Sequence, residues 1–456
     1  MTHAATAVDT QCINTIRTLA MDAVQKANSG HPGTPMGLAP VGYTLWSRFL
    51  RYHPEHPDWP NRDRFVLSVG HASMLLYSLL HLAGVVEIDA HGKRSGQPAI
   101  SLDDIKQFRQ MSSKTPGHPE YRMTTGVETT TGPLGQGCAN SVGMAMAERW
   151  LGKRFNRDGQ VLFDYNVYTL CGDGDMMEGI SSEAASMAGH LKLDNLCWIY
   201  DNNTISIEGH TELAFSEDVI KRFQAYGWHT LHVTDANDLQ ALSAALETFQ
   251  ANTGAPTLIV VDSVIGYGSP HKHNTAAAHG EPLGEEEIRL TKAAYGWPQD
   301  SSFLVPDDTR TVLRDALLER SQPLYETWQQ HLAQLEQYEP ELADELRRMR
   351  AGEMPEHWQD ELPHFDTDAK GIASRAAGGE VLNAFAQQIP WLLGGSADLS
   401  PSTKTNLTFD GAGRFSADDY SGRNLHFGIR EHAMGAIANG MALCYLCLLY
   451  TSPSPR

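Results

Sequence analysis

The sequence predicts an α/β protein whose first domain is built on a parallel sheet. Strands that alternate with helical stretches form parallel βαβ units, and short continuous apolar runs are typical of strands that are covered on both faces. Four such runs end in glycine-rich or polar turns, at 64–71 (RFVLSVGH), 167–174 (VYTLCGDG), 196–203 (LCWIYDNN) and 256–264 (PTLIVVDSV). We therefore expect one α/β domain over residues 1–300.

The part of the chain after residue 300 predicts a linker and the beginning of a second α/β domain. The linker, 301–370, contains a charged helical stretch at 334–352, with one proline near its start, and then a segment rich in Pro, Asp and His. The second domain, 371–442, shows a strand and turn at 391–398 and a helix of small residues from 431. One or two strands are too few to bury the faces of a sheet, so we expect a truncated domain. Residues 443–456 depart from the pattern and are expected to be an aberrant tail.

Composition excludes several functional classes. The chain has 456 residues, more than one domain usually holds, and its 35 basic and 55 acidic residues give a formal net charge of -20. An acidic surface argues against nonspecific binding of nucleic acid. No basic N-terminal region precedes an apolar core, and no apolar run approaches the roughly 20 residues that span a bilayer. The 6 cysteines show neither zinc-ligand nor disulfide-framework spacing. We expect a cytoplasmic protein without nucleic-acid or membrane partners.

Polar residues at the ends of two predicted strands indicate a metal site. Asp173 follows one strand and Asn203 ends the next, and ligands of parallel α/β folds bind beyond the carboxyl ends of strands. A carboxylate and an amide oxygen are ligands that suit Mg²⁺. Gly172 and Gly174 would let the backbone approach a diphosphate closely. An ordinary acidic turn would explain 172–174 alone, but not the paired asparagine.

Other interpretations of this turn fail on spacing. Residues 172–177 lack the third glycine of a dinucleotide-binding fingerprint, and the chain contains no P-loop. Asp173 and Asp175 do not supply the ligand set of a calcium-binding EF-hand loop. An ordinary acidic turn and a metal site therefore remain as interpretations of these residues, and the paired Asn203 favours the metal site.

Four histidines beside glycines form a second candidate set. His31, His71 and His118 each follow a glycine, and His279 precedes one, which places them on turns. Histidine titrates near neutral pH and can exchange protons with sugar hydroxyls. Any one of them alone would more often be an ordinary surface residue. Their number, together with the metal motif, favours a functional set.

Two further segments have a structural and a functional interpretation. Residues 129–137 (TTTGPLGQG) open a helix of small residues and could wrap a cofactor or simply form a tight helix entry. Glu431 precedes another small-residue helix and could be a proton donor with a raised pKa, or an ordinary helix-start glutamate that the helix dipole favours. The residues alone favour the structural interpretation of both segments.

Long segments of the chain, from about residue 12 to about 442, resemble the signature segments of the transketolase family. They occur in the same order at 28–33 (NSGHPG), 113–120 (SKTPGHPE), 126–137 (GVETTTGPLGQG), 172–179 (GDGDMMEG), 206–210 (SIEGH) and 394–399 (GGSADL). The resemblance implies a thiamine diphosphate-binding fold and reversible transfer of a two-carbon ketol group from a ketose phosphate to an aldose phosphate. It also implies thiamine diphosphate and Mg²⁺ as cofactors, with Ca²⁺ or Mn²⁺ as substitutes, sugar phosphate substrates, and a homodimer for the full-length protein. The pathway would be the pentose phosphate pathway or the Calvin cycle.

The resemblance also implies a role for individual residues. The metal would be held by Asp173, Asn203 and the backbone carbonyl of Ile205. Thiamine diphosphate would be bound by His71, Gly132, Pro133, Leu134, Gly174, Asn203 and His279. The sugar phosphates would be contacted by His31, His118, His279, Arg375 and Ser402. The catalytic residues would be His31, His279 and Glu431, of which Glu431 would hydrogen-bond the aminopyrimidine ring of the cofactor and promote its tautomerisation.

The C-terminal segment departs from the family pattern. Where the family continues with aromatic residues that stack on the pyrimidine, this chain has 443–456, so we expect the chain alone to be inactive. Two alternatives stay open from the residues. One is another thiamine diphosphate enzyme, such as dihydroxyacetone synthase or a deoxyxylulose phosphate synthase. The other is a non-catalytic module that only binds the cofactor.

Overall fold

The computed structural model describes residues 5–89, 92–367, 370–445 and 449–452, the last four by their backbone only. The chain forms two compact units. The first comprises the described residues of Met1–Cys138, Tyr165–Ser181 and Asp194–Tyr325, and the second those of Ala139–Asp164, Ser182–Leu193 and Glu326–Arg456. Within the described ranges no helix is both long and apolar enough to cross a membrane. Of the 6 cysteines, Cys447 lies outside the described ranges.

Helices and strands alternate along most of the chain. The helices are α1 (Ala7–Ala27), α2 (Gly33–Thr44), α3 (Ser73–Ala83), α4 (Leu102–Lys106), α5 (Gln136–Phe155), α6 (Asp173–Met177), α7 (Gly179–His190), α8 (Val219–Ala225), α9 (Leu239–Ala251), α10 (Glu285–Ala294), α11 (Asp307–Tyr338), α12 (Pro340–Ala351), α13 (Ser374–Gln388), α14 (Ser400–Thr403) and α15 (Glu431–Ala442). The strands are β1 (Arg64–Leu67), β2 (Val86–Ile88), β3 (Arg94–Pro98), β4 (Val167–Gly172), β5 (Leu196–Asn202), β6 (His229–Val233), β7 (Thr257–Asp262), β8 (Leu393–Ser396), β9 (Asn424–His426) and β10 (Leu449–Ser452).

The first unit contains the parallel sheet that the sequence predicts. Its five strands run in the order β1-β4-β5-β7-β6, and every neighbouring pair is parallel. Strands β1, β4, β5 and β7 correspond to the four predicted runs and are almost wholly buried, because helices cover both faces. The sequence analysis missed β6, whose residues HTLHV are mostly half-buried or exposed. An edge strand carries polar residues and lacks the continuous apolar signal.

Helix α1 shows how local sequence fixes the ends of an element. Thr6 and Asp9 form a capping box, in which Thr6 Oγ1 accepts the Asp9 backbone N–H at 3.1 Å and Asp9 Oδ2 accepts the Thr6 backbone N–H at 2.8 Å. The helix ends where Asn28 takes a left-handed conformation with φ of 50°. The chain therefore leaves the helix directly into the 28–33 segment that carries His31.

The second unit contains a smaller parallel sheet in the order β10-β8-β9. The predicted strand at 391–398 and the helix from 431 are confirmed as β8 and α15. The sheet has three strands, more than the one or two expected. Strand β9 was not predicted because it has only 3 residues, too few to show a periodicity. Strand β10 lies within 443–456, the segment expected to be aberrant, and Leu449 pairs with Leu393.

The charged stretch 334–352 is two helices, not one. Helix α11 ends at Tyr338, and Pro340 is the first residue of α12. Proline suits the first turn of a helix because the backbone N–H groups of that turn have no partner within the helix, so the N–H that proline lacks is not needed there. The expected single helical stretch is therefore interrupted at Glu339, which forms an ion pair with Arg157 at 2.6 Å.

Candidate functional site

A cavity of about 420 Å³ lies in the first unit. Turns that follow β1, β4 and β5 contribute much of its wall, as expected for the carboxyl ends of parallel strands. Ten of the lining residues belong to the predicted site, namely His31, His71, His118, Gly132, Leu134, Asp173, Gly174, Asn203, Ile205 and His279. The other lining residues are Thr34, Val69, Gly172, Met177, Asp201, Ser206, Ile207 and Glu208. The structure thus brings together segments that lie far apart in the sequence.

Asp173 is a buried carboxylate at the end of β4. Tyr200 donates its hydroxyl hydrogen to Asp173 Oδ1 at 2.6 Å, and the Thr204 backbone N–H donates to Oδ2 at 3.0 Å. Burial raises the pKa of Asp173 to about 6, although these hydrogen bonds act in the opposite direction. A nearby cation would offset the cost of keeping this carboxylate charged.

Asn203 faces the same cavity from the turn after β5. Its Nδ2 donates to Asp201 Oδ2 at 2.7 Å, and its Oδ1 accepts the Ile205 backbone N–H at 2.9 Å. Ser263 in turn donates its hydroxyl hydrogen to Asp201 Oδ1. Burial raises the pKa of Asp201 to about 7, and the neighbouring Asp173 contributes in the same direction. Two buried carboxyl groups therefore lie beside one cavity.

The histidines cluster on the cavity wall. The ring centroids of His31 and His71 are 5.0 Å apart, those of His31 and His279 are 5.7 Å apart, and those of His71 and His279 are 5.3 Å apart. Burial lowers the pKa of His31 to about 4, with smaller effects from His279, Arg109 and His118. Burial also lowers the pKa of His71, His118 and His279. All four rings are therefore neutral near pH 7.

Two of these rings keep an unused polar atom. Nδ1 of His31 and Nδ1 of His279 are buried and have no hydrogen-bond partner within the described protein. A buried polar atom without a partner costs free energy that a bound ligand can recover. Both of these rings line the cavity.

Glycine allows the His31 turn to approach the His279 turn. A Cβ on Gly33 would stand 2.3 Å from the Ala278 carbonyl oxygen and 2.7 Å from Ile265 Cγ1. The Gly33 carbonyl also accepts the Gly266 backbone N–H at 3.0 Å. Only a residue without a side chain permits this contact, which sets His31 beside His279.

Asp175 is a connection that the sequence analysis missed. This wholly buried carboxylate accepts hydrogen bonds from Ser68 Oγ at 2.6 Å, from the Gly135 backbone N–H at 2.7 Å and from the Gly172 backbone N–H at 2.9 Å. It thereby joins the turn after β1, the 129–137 loop and the turn after β4. The sequence analysis considered Asp175 only as a calcium ligand and rejected it, because two of its three partners, Ser68 and Gly135, are distant in the chain.

The 129–137 loop also packs on the His71 turn. A Cβ on Gly70 would stand 2.7 Å from Thr131 Oγ1 and 2.9 Å from the Gly132 backbone nitrogen. Gly132 and Leu134 line the cavity, and Pro133 lies between them. The loop is therefore both a tight entry to α5 and part of the cavity wall.

Three predicted site residues lie in the second unit. Arg375 is exposed near the start of α13, Ser402 is exposed on α14, and Glu431 is exposed at the first residue of α15. None of them is among the residues that line the cavity of the first unit. Their roles stay predictions.

Within the second unit, α15 is held by its neighbours through small residues. Glu183 Oε2 accepts the Ala433 backbone N–H at 2.9 Å, which satisfies the start of the helix. A Cβ on Gly440 would stand 1.9 Å from the Asn140 carbonyl oxygen, and one on Gly143 would stand 2.0 Å from the Ile437 carbonyl oxygen. The small residues of α5 and α15 therefore permit contact between the two helix backbones.

Two family models match the chain. "Transketolase, thiamine diphosphate binding domain" matches residues 8–355, and "Transketolase, pyrimidine binding domain" matches residues 370–451. The second match reaches into 443–456. The domain boundaries proposed from the sequence stay predictions.

Named relatives agree with these matches. Over 436 residues the chain is 52% identical to the transketolase of Geobacillus stearothermophilus and 50% identical to that of Bacillus subtilis, covering 96% of this chain and 63% of each relative. A crystal structure of the Pichia stipitis transketolase in complex with sedoheptulose 7-phosphate superposes with a TM-score of 0.91 at 42% identity, covering 98% of this chain and 64% of that one. The transketolase of Leishmania mexicana superposes with a TM-score of 0.90 at 42% identity, covering 97% of this chain and 63% of that one.

The chain thus spans about 63% of the length of the curated relatives that it matches. The resemblance and the fold class predicted from the sequence are both confirmed by the family matches and by the superposed structures. On these grounds the chain belongs to the transketolase family.

Proposed function

We propose that the protein transfers a two-carbon ketol group reversibly from a ketose phosphate to an aldose phosphate, and that this chain supplies the diphosphate-binding part of the active centre. The observation that carries the proposal is the shared cavity. Asp173 and Asn203, from the ends of neighbouring strands, line it together with His31, His71 and His279. The transketolases at 50–52% identity support the assignment of the reaction.

The residues around Asp173 fit a divalent metal bound through a diphosphate. Among the described residues no group of three or more His, Cys, Asp or Glu could hold a metal ion by itself. Asp173, the Asn203 amide oxygen and the Ile205 carbonyl would supply three oxygen ligands, which is fewer than Mg²⁺ takes. Phosphate oxygens would complete the shell. Mg²⁺ is proposed as the metal, and Ca²⁺ or Mn²⁺ would occupy the same oxygen ligands.

The cavity wall fits thiamine diphosphate. Gly174 lines the cavity where its backbone can approach a phosphate closely, and a Cβ there would stand 2.6 Å from Leu134 Cδ1. His71, His279, Asn203 and the 132–134 backbone are proposed to bind the cofactor. When bound, thiamine diphosphate supplies the carbon nucleophile that cleaves and forms the carbon–carbon bond.

The histidines are proposed to orient the sugar and move its protons. Because burial keeps His31, His118 and His279 neutral near pH 7, each ring can accept a proton at one nitrogen and donate from the other.

The remaining assignments rest on the family resemblance. Arg375 and Ser402 are proposed to bind the acceptor phosphate, and Glu431 is proposed to hydrogen-bond the aminopyrimidine and hold its proton. A homodimer of the full-length protein and a cytoplasmic location belong to the same proposal. The 456 residues alone are proposed to lack turnover, since they span 63% of the length of relatives named for this activity.

Calorimetric titration tests the binding half of the proposal. The chain is expected to bind thiamine diphosphate in the presence of Mg²⁺ and to lose this binding with EDTA or with Asp173→Ala. Asp103→Ala is the matched control, because the side chain of Asp103 is 89% exposed and its exposed ion pair with Lys106 contributes little. Metal-independent binding, or equal binding by Asp173→Ala, would contradict the metal assignment.

A donor-to-acceptor assay tests the catalytic half. In the full-length protein, Glu431→Ala is expected to abolish most turnover at saturating cofactor while metal-dependent diphosphate binding persists, because Glu431 would act on the pyrimidine ring. An unchanged rate would refute this role. Ketol transfer by the purified 456-residue chain at the rate of a full-length relative would refute its proposed inactivity.

A further inference from the structure

We propose that Tyr200 and Asp201 are positioning residues that orient the metal ligands Asp173 and Asn203. The inference rests on the proposed function, because it concerns the same metal site. It adds two residues that act on the ligands and not on the metal itself.

Tyr200 fixes the carboxylate of Asp173. Its hydroxyl donates to Asp173 Oδ1 at 2.6 Å, while the Thr204 backbone N–H donates to Oδ2 at 3.0 Å. With both oxygens held, the carboxylate cannot turn about its last single bond without breaking a hydrogen bond. Each oxygen still has a lone pair for a further partner.

The Tyr200 hydroxyl donates its hydrogen to Asp173. Tyr200 is 3% exposed, and an ionised carboxylate oxygen can only accept a hydrogen bond, so the direction of this contact is fixed. The hydroxyl also lies 3.3 Å from Asn202 Oδ1, but it has one hydrogen, and the contact to the Asp173 carboxylate is shorter and charge-assisted. The phenol therefore serves the carboxylate.

Asp201 fixes the amide of Asn203. Asp201 Oδ2 accepts from Asn203 Nδ2 at 2.7 Å, which places the amide nitrogen toward Asp201 and leaves Oδ1 on the side of Ile205. Asp201 is itself held by the Ser263 hydroxyl. The network therefore decides which end of the amide is presented as a metal ligand.

A single strand end carries both positioning residues. Tyr200 and Asp201 are consecutive on β5, and successive side chains of a strand point to opposite faces of the sheet. Tyr200 reaches Asp173, which follows β4, and Asp201 reaches Asn203, which lies in the turn after β5. Partners of this kind typically change metal affinity about 10–100-fold when they are removed.

Tyr200→Phe tests the inference on the 456-residue chain. The substitution removes one hydroxyl and keeps the ring. We expect Mg²⁺ affinity, titrated by calorimetry at saturating thiamine diphosphate, to fall about 10–100-fold. The matched control is Tyr168→Phe, which removes a wholly buried hydroxyl from the neighbouring strand β4, where its partner is Gln250 Nε2 at 3.2 Å. Its Mg²⁺ affinity should stay within about twofold of that of the unmodified chain, because substitutions at distant sites are usually independent to within this factor.

Metal-free thermal unfolding separates positioning from folding. Both variants should lower the melting temperature without metal, because each loses a buried hydrogen bond, and Tyr200→Phe should lower it more because its bond to a carboxylate is charge-assisted. Only Tyr200→Phe should also lose stabilisation by added Mg²⁺ and thiamine diphosphate. Should Tyr200→Phe fail to fold, Ser263→Ala, which releases Asp201, is expected to lower Mg²⁺ affinity more than Tyr168→Phe does.

The outcomes distinguish this inference from the proposed function. If the unmodified chain shows no Mg²⁺-dependent binding of thiamine diphosphate, both are overturned. If it binds and Tyr200→Phe binds Mg²⁺ equally well, or if Tyr168→Phe weakens binding as much, only the positioning role is overturned. A loss that is specific to Tyr200→Phe supports it.

Discussion

Asp175→Asn is expected to loosen the cavity wall while leaving the fold in place. Asp175 Oδ1 accepts from Ser68 Oγ and Gly135 N, and Oδ2 accepts from Gly172 N. Asparagine has nearly the same shape but only one acceptor oxygen. If that oxygen replaces Oδ1, the amide nitrogen faces the Gly172 N–H, and two donors oppose each other in a site that water does not reach.

The magnitude follows from one buried donor without a partner. Such a donor costs about 1–3 kcal/mol. Neutralising the side chain recovers part of this, because burial raises the pKa of Asp175 and so shows that its charged form is disfavoured in the folded state. We therefore expect a net loss of stability of about 1–2 kcal/mol. If cofactor binding must restore the order of the loop and turn, affinity falls about 5–30-fold, the factor that this free energy represents.

Thermal unfolding and titration with thiamine diphosphate in Mg²⁺ measure the two effects. Asp238→Asn is the control, because Asp238 Oδ1 also accepts two backbone N–H groups, those of Gln240 and Ala241, but at a helix start where asparagine caps as well as aspartate. That variant should change stability by less than about 0.5 kcal/mol. Unchanged stability and cofactor affinity in Asp175→Asn would refute the assigned connection.

Two further predictions concern the histidine cluster. Gly33→Ala places a Cβ 2.3 Å from the Ala278 carbonyl oxygen and is expected to cost about 1–3 kcal/mol and to weaken cofactor binding, whereas Gly179→Ala, whose Cβ would meet nothing within 4 Å, should do neither. Equal unfolding midpoints for the two variants would contradict this. Burial lowers the pKa of His71, so as the pH falls the ring is protonated in the unfolded chain before it is protonated in the folded chain. The stability that the neutral, buried ring contributes is therefore present above about pH 6.5 and is lost as the pH falls below that value. His71→Gln should therefore lose less free energy of unfolding between pH 7 and pH 5 than the unmodified chain, and identical losses would count against the buried neutral ring.

Several features of the site could be predicted because they are local. The runs before Asp173 and Asn203 are apolar and continuous, so both residues were placed correctly at strand ends. Glycine beside His31, His71 and His118 marked the turns that carry these side chains. The expected linker helix was wrong in one respect, because Pro340 begins a second helix where the sequence indicated a single stretch.

Other features depend on partners that no local pattern reveals. Strand β6 was missed because an edge strand lacks the apolar run of a central one. Asp175 joins Ser68, Gly135 and Gly172, of which only Gly172 is near it in the chain. The role of Tyr200 appears only once β4 and β5 are paired.

The sequence by itself determined the parallel α/β architecture of the first unit and the residue types that one edge of the sheet would carry, because periodicity and turn chemistry act over a few residues. Tertiary structure alone decided which of those residues face one cavity and which ones hold them there. The Gly33 contact with Ala278 and the Tyr200 hydrogen bond to Asp173 each join separate segments. Such contacts arise from the packing of the whole unit, which fixes distances that the order of residues leaves open.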